Sequence, residues 1–269
     1  MWRIDAPLLM GILNITPDSF SDGGLFLRPE EAIDHAREMQ EAGADIIDIG
    51  AESTRPGAVP VGQEEEWQRL FPVLQELKRQ LDIPVSVDTY KAEIARRALE
   101  EGADIINDIS GLRRDEAMAE TVARHHCPLI LMHMQGTPRD MQENPSYENL
   151  MEEIHLFFQE RIEFAGKSGI EQLIIDPGLG FGKRYGDNYE LLRRLRELRV
   201  FGYPLMVGPS RKSFIGKALG ADADQRLMGT AAAVVMAVAN GASILRVHDV
   251  PEMKQTLRIV QKIRQGKNF

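Results

Sequence analysis

Arg246 and His248 stand two residues apart in the run ILRVHD, while Leu245 and Val247 occupy the alternate positions. Successive side chains on a β-strand face opposite ways, so residues at this spacing share a face. Here the shared face carries two groups able to bear positive charge. The same phase joins Asp88 to Ser86 in PVSVD, Asn107 to Ile105 in DIIND, Asp176 to Ile174 in LIID, and Asn14 to Ile12 in GILN. Each polar group closes an apolar run. Acids, amides and cations gathered at one rim could hold a polar heterocycle by hydrogen bonds and an anion by charge. They do not make a closed zinc site, and no HExxH pattern occurs. Mg²⁺ suits such a set better, because it takes few protein ligands and completes its shell with phosphate and water.

Two loops add positive charge. ESTRPGA (52–58) and GPSRKSFIG (208–216) both combine hydroxyls, Gly or Pro, and Arg or Lys. Arg55, Arg211, Lys212 and Arg246 could make a local positive field in a chain of net charge −9. Taken singly, each is more readily a solvated surface cation, and Asp88 or Asp176 alone could be a loop-capping carboxylate. Their joint placement after apolar runs is what points to a site. Ser213 stands where it could cap the helix opened by SFIG. Phe181, inside the Gly-rich DPGLGFGKRYG, is a candidate aromatic wall. In LMHMQG, Met132 is the residue expected to meet a flat ligand, and His133 receives no role.

The elements that must carry these residues alternate along the chain. LLMGILNI, DIIDIG, IPVSVD, DIINDIS, PLILMHM, QLIIDPG, YPLMVGPS and ILRVHD are eight apolar runs with β character. Between them lie segments with helical spacing, among them EEEWQRLFPVLQELKRQ, KAEIARRALEEGA, YELLRRLRELR and DQRLMGTAAAVVMAVANGA. A weak echo, AGADIIDIG, EGADIINDIS and NGASILRVH, puts Gly at a helix C-terminus just before the next strand. Eight βα units without a Pro/Gly/Ser-rich linker read as one domain over residues 1–269, a (β/α)8 TIM barrel. An open doubly wound sheet is the rival. In a barrel, chemistry belongs at the C-terminal ends of the strands, where the polar residues lie.

The totals narrow the partners. With 43% hydrophobic and 27% charged residues, the chain has apolar mass for a substantial core. An excess of 41 acidic over 32 basic residues disfavours nucleic acid as a partner. Cys127 is the single cysteine, which excludes an intrachain disulfide and fits a reducing compartment, so a cytoplasmic address is expected. MWRIDAPLLM is too short and too charged for a signal h-region, and no apolar run approaches the ~20 residues of a membrane span.

MGILNITPDSFSDGG, ESTRPGA, VSVDTYKAE, INDISG, LMHMQGTP, IIDPGLGFGK, GPSRKSFIG and ILRVHDV together resemble the dihydropteroate synthases, in order and over essentially the whole chain. The resemblance implies transfer of a dihydropterin-methyl group from its pyrophosphate ester to the amine of p-aminobenzoate, releasing pyrophosphate. By matching positions it implies a pterin site of Asp88, Asn107, Asp176 and Lys212, with Met132, Phe181 and Gly208 shaping the slot. It places Asn14 on Mg²⁺ beside the pyrophosphate, which Arg246 and His248 also contact. The family's two mobile loops correspond to residues 15–27 and 51–62, so that Asp22, Thr54, Arg55 and Pro56 close over the reactants. Ser213 and Phe181 meet the p-aminobenzoate. Asp88, Arg55, Lys212 and Asp22 carry the catalysis, and a homodimer is implied. Ala51 and Leu179 depart from the family pattern, which commonly has a second Gly after DIG and a Phe in DPGFGFGK.

The family's picture is dissociative: the C–O bond breaks first and leaves a ring-delocalised cation. On its reference pKa of about 3.9, Asp88 is expected to be ionised at pH 7 and to stabilise that cation. Two rival functions use the same fold. One is the pterin-presenting barrel of a corrinoid-dependent methyltransferase, and the other is a non-catalytic pterin-binding barrel.

Overall fold

The computed structural model describes residues 4, 6–16 and 29–265. Asp22 and positions 17–27 of the first loop lie outside the described residues. All eight apolar runs become strands: β1 (Leu8–Asn14), β2 (Ile46–Gly50), β3 (Val85–Asp88), β4 (Ile105–Asp108), β5 (Leu129–Met132), β6 (Leu173–Asp176), β7 (Met206–Val207) and β8 (Ile244–Val247). They form one parallel sheet in the order β6-β5-β4-β3-β2-β1-β8-β7. A bridge between Ile175 and Leu205 joins its two ends. The sheet is therefore a closed (β/α)8 barrel, and the doubly wound alternative is excluded.

The helices outside the barrel are α1 (Pro29–Glu41), α2 (Gln63–Gln80), α3 (Ala92–Glu100), α4 (Met118–His125), α5 (Leu150–Lys167), α6 (Tyr185–Arg194), α7 (Ser213–Leu219), α8 (Leu227–Ala239) and α9 (Val250–Gln265). Their inner stripes follow the helical period. In α9 the buried residues are Val250, Met253, Leu257 and Val260, spaced three and four apart. These stripes pack on the outward-facing strand residues, such as Leu9, Ile47, Val87 and Leu131. Gly43, Gly102 and Gly241 of the sequence echo all take left-handed φ, which lets Ala44, Ala103 and Ala242 bond back to the ends of α1, α3 and α8 and start the next strand. Two helical expectations change in detail. YELLRRLRELR is helical only to Arg194 and tightens into a 3₁₀ segment over Leu195–Phe201. Ser213 is the first residue of α7, not its cap: Lys212 holds the extended N-cap position, with no side-chain capping bond.

Inside the barrel a second apolar cluster fills the N-terminal half. It consists of Met10, Ile46, Ile105, Ile130, Ile174, Met206 and Ile244, one residue from almost every strand. This plug leaves only the C-terminal half open to polar side chains.

Candidate active site

Each residue two positions after that plug points inward one layer higher. From Ile46, Ile105, Ile130, Ile174, Met206 and Ile244 the step leads to Asp48, Asn107, Met132, Asp176, Gly208 and Arg246. β3 adds Asp88, in register with Asn107. The strand period alone thus converts an apolar floor into a polar mouth. Asp88, Asn107, Met132, Asp176, Phe181, Gly208, Lys212 and Arg246 line one cavity, together with Ile109, Leu179 and Met206. The structure therefore brings together all seven residues expected at a pterin site. Leu179 is buried in that wall, and Ala51 is buried at the end of β2.

Arg246 organises the charges. Its Nε donates to Asp48 Oδ2 at 2.6 Å and its Nη2 to Asp88 Oδ2 at 3.0 Å. Burial works against its positive charge, but Asp48 and Asp88 outweigh it and raise its pKa. Asp88 departs from the expectation that it is fully ionised at pH 7. Burial lifts its pKa to about 7 against the pull of Arg246, with Asp48, Glu66 and Asp108 adding to the rise. Burial raises Asp176 as well, opposed by Gly178 N, which donates to its Oδ1 at 2.7 Å. Asp176 is thus both a loop cap and a pocket wall. Asp108, out of phase with the pocket, caps its own loop by accepting from Ser110 N and Leu112 N.

Lys212 Nζ stands 4.0 Å from the centroid of the Phe181 ring. Burial and the neighbouring Arg246 lower its pKa to about 8, opposed by Asp176 and Asp88. His248 is held by Ser210, whose Oγ accepts from His248 N at 3.1 Å and lies 3.0 Å from Nδ1. Burial, then Arg246 and Arg211, drop the histidine pKa to about 3. His248 is therefore neutral at pH 7, not the second cation that its spacing suggested.

The loop after β6 is pressed against the chain leaving β5. A Cβ on Gly178 would come within 2.0 Å of His133 O, and one on Gly182 within 2.2 Å of Gln135 O; both have left-handed φ. Only glycine fits there. Lys183, 2% exposed, ties the two segments: Nζ donates to Phe181 O at 3.0 Å and His133 O at 3.4 Å, and lies 3.0 Å from His133 Nδ1. His133 faces away from the pocket and meets Phe157 edge to face.

Other expected residues lie apart from the cavity wall. Asn14 ends β1, half-buried and in register with Gly50. Arg55 and Pro56 are exposed and Thr54 is half-buried on the loop after β2, where Gly57 N donates to Pro138 O. Ser213 is exposed. Arg211 is committed elsewhere, paired with Asp249. The base of the second loop is stapled: Lys91 Nζ bonds Glu52 at 2.5 Å, Val61 O at 2.7 Å and Glu66, and Tyr90 donates to Glu52 at 2.6 Å. Sequence reasoning assigned nothing to Asp48, Glu52, Glu66, Lys91 or Lys183. For Asp48 the signal was present, since DIIDIG has it in phase with Ile46.

A closed parallel barrel whose C-terminal rim offers acids, an amide, an amine and a guanidinium around one cavity is a ligand-transforming TIM-barrel site. Residues 10–248 match the pterin-binding enzyme family, and the chain belongs to it. Within that family it stands with the dihydropteroate synthases, enzymes of folate biosynthesis that transfer an alkyl group. It is 49% identical to the dihydropteroate synthase of Synechocystis over 258 residues, covering 95% of this chain and 89% of that one. The crystal structure of Yersinia pestis dihydropteroate synthase with a sulfonamide drug superposes with TM-score 0.94 at 46% identity, covering 98% and 96% of the two chains. The Xanthomonas albilineans enzyme with 4-aminobenzoic acid gives TM-score 0.92 at 44% identity, covering 97% and 94%.

Proposed function

We propose that the cavity takes the ring of 6-hydroxymethyl-7,8-dihydropterin pyrophosphate and that p-aminobenzoate reaches its exocyclic carbon from the loop side. The C–O bond to pyrophosphate breaks, a C–N bond forms, the anilinium proton leaves, and 7,8-dihydropteroate remains. The observation that carries the reading is the polar layer itself. Asp88 and Asp176 accept from the ring's amino and N–H groups, Asn107 does both, and Lys212 donates to its oxygen and nitrogen acceptors. Met132, Phe181 and Gly208 line the cavity beside these polar groups and offer the ring its apolar contacts.

Departure of pyrophosphate needs positive charge and donors at the rim. Arg246 supplies the charge and the neutral ring of His248 a hydrogen bond. As the C–O bond opens, positive charge spreads into the ring beside Asp88, whose ionised form opposes it. Thr54, Arg55, Pro56, Ser213 and Phe181 form the p-aminobenzoate side. Arg55, with Asp22 from the first loop, acts in the step that follows bond breaking. An aromatic amine is neutral at pH 7, so no general base is required.

Among the described residues no group of three or more His, Cys, Asp or Glu is placed to hold a metal. A single amide oxygen, that of Asn14 at the strand end, fits an ion that shares its remaining shell with pyrophosphate and water. When bound, Mg²⁺ neutralises charge on the leaving group.

Residues 1–269 act as one barrel unit, and two copies pair. The exposed apolar side chains of Met228, Val235 and Met236 on α8 support pairing, which light scattering measures. No helix among the described residues is long and apolar enough to cross a membrane. With one buried cysteine, this supports a cytoplasmic enzyme.

The deciding assay incubates the purified chain with the pterin ester, p-aminobenzoate and Mg²⁺ and follows 7,8-dihydropteroate and pyrophosphate by chromatography. Equimolar appearance of both is expected. Absence of dihydropteroate, or methyl transfer from methyl-tetrahydrofolate to a corrinoid instead, overturns the assignment.

A further inference from the structure

Asp48, on β2, points inward in the polar layer above the plug but is fully buried and does not line the cavity. Its Oδ2 accepts from two residues that line the cavity, Arg246 through Nε at 2.6 Å and Asn107 through Nδ2 at 3.2 Å. Arg246 spends the Nε–Nη2 edge of its guanidinium on two carboxylates at once, Asp48 and Asp88. The fork is thereby held by two carboxylates, with Nη1 used by neither. Asp48 Oδ1 has no hydrogen-bond partner among the described residues. Removing a carboxylate from water costs several kcal/mol per ion, and its pairing energy does not reliably repay that cost. An orphaned oxygen makes the balance worse. Stability is a poor reason to keep an ionised group at this position, and orientation is a better one.

We propose that Asp48 is a positioning residue for the transfer reaction, acting through Arg246 and Asn107 to aim the guanidinium at the leaving pyrophosphate and the amide at the ring. The proposal rests on the pterin and pyrophosphate roles assigned above. Asp48 touches no substrate. It converts a long, rotatable arginine into a fixed donor, so that no reorientation is needed when charge develops on the leaving oxygen.

Asp48→Asn tests this. The amide keeps the shape and an acceptor for both donors but loses the charge that fixes Arg246. Per folded enzyme, kcat is expected to fall on the order of ten- to a hundredfold, while KM for p-aminobenzoate, bound on the other side, stays within about threefold. Thermal stability should be retained or improved. In an Arg246→Gln background the same change should cost little more, because the residue through which Asp48 acts is already gone. A purely structural role gives the opposite pattern: a lowered melting temperature, an unchanged kcat per folded enzyme, and losses that multiply with Arg246→Gln. Any of those three results overturns the proposal. If Asp48→Asn does not fold, Asp48→Ser, which removes the charge without adding bulk, carries the same expectations. The wild-type arm separates the two levels of inference, since an inactive wild type refutes the assigned reaction, whereas an active wild type with an undiminished Asp48→Asn refutes only the positioning role.

Discussion

Lys212 Nζ lies above the Phe181 ring, 4.0 Å from its centroid, so an ammonium and an aromatic face from two different loops close the same side of the cavity. The contact joins the loop after β7 to the loop after β6. Its strength depends on Lys212 keeping its proton, which a pKa of about 8 allows at neutral pH.

Phe181→Leu keeps an apolar wall but removes the ring quadrupole. A cation–π contact contributes about 0.5–2 kcal/mol, so KM for the pterin ester should rise by roughly two- to thirtyfold, with kcat less affected. Steady-state kinetics at saturating p-aminobenzoate measure both. A fall in kcat with an unchanged pterin KM would show that the ring acts on the chemical step instead.

Asp88 is expected to give the reaction an acid limb. Below about pH 7 the buried carboxyl is protonated in the empty enzyme, so kcat/KM for the pterin ester should rise with pH through about 7. Asp88→Asn should remove that limb. Its kcat should fall about a hundredfold or more, the scale of a lost preorganised electrostatic contact. Pterin Kd should rise only about tenfold, the cost of one hydrogen bond to a charged group. Single-turnover measurements separate the two, and equal losses would take the cation-stabilising role from Asp88.

The eight strands and their inward phase were legible because the plug and the polar layer obey one period of two: Ile105 to Asn107, Ile174 to Asp176, Ile244 to Arg246. Attention to strand ends alone missed Asp48, since the last inward residue of β2 is Gly50 and the acid lies one step deeper. Lys183 was out of reach for another reason. Its partner His133 lies 50 residues away, just after β5, and no local pattern encodes the meeting of those loops. The ionisation of Asp88 and His248 could not be read from residue type, because burial sets it. Ser213 was assigned as a cap on composition, whereas the extended φ/ψ of Lys212 decides where α7 begins.

Metal removal gives a separate test of Asn14. Chelation with EDTA should stop dihydropteroate formation, and Mg²⁺ should restore it. In Asn14→Ala the Mg²⁺ concentration for half-maximal activity should rise by about tenfold or more, the scale seen when groups around a metal are removed. The same half-saturating concentration in both proteins would remove Asn14 from the metal.

Arg55 is exposed on a loop whose base is tied down by the Lys91–Glu52–Glu66 staple. Its place outside the cavity wall fits a residue that acts on the second reactant and not on the pterin. Arg55→Ala should therefore slow p-aminobenzoate addition while pterin ester cleavage continues, so that pyrophosphate is released in excess over dihydropteroate. Quantifying both products in one reaction decides the matter. A wild-type rate of dihydropteroate formation would exclude Arg55 from the mechanism.

Lys183 should leave a signature in stability. Burial lowers its pKa to about 7, whereas in the unfolded chain a lysine titrates near 10.4. Between those values the unfolded state binds a proton that the folded state lacks, so this group's contribution to stability rises with pH across the window. Lys183→Met has no such proton. The melting temperature of the wild type relative to Lys183→Met should therefore increase from pH 7 to pH 9, and groups common to both proteins cancel in the difference. Because Lys183 Nζ also holds the Phe181 carbonyl, the variant should raise pterin KM in the same direction as Phe181→Leu. A melting difference that does not change with pH would mean that the buried amine keeps its ordinary pKa in the fold.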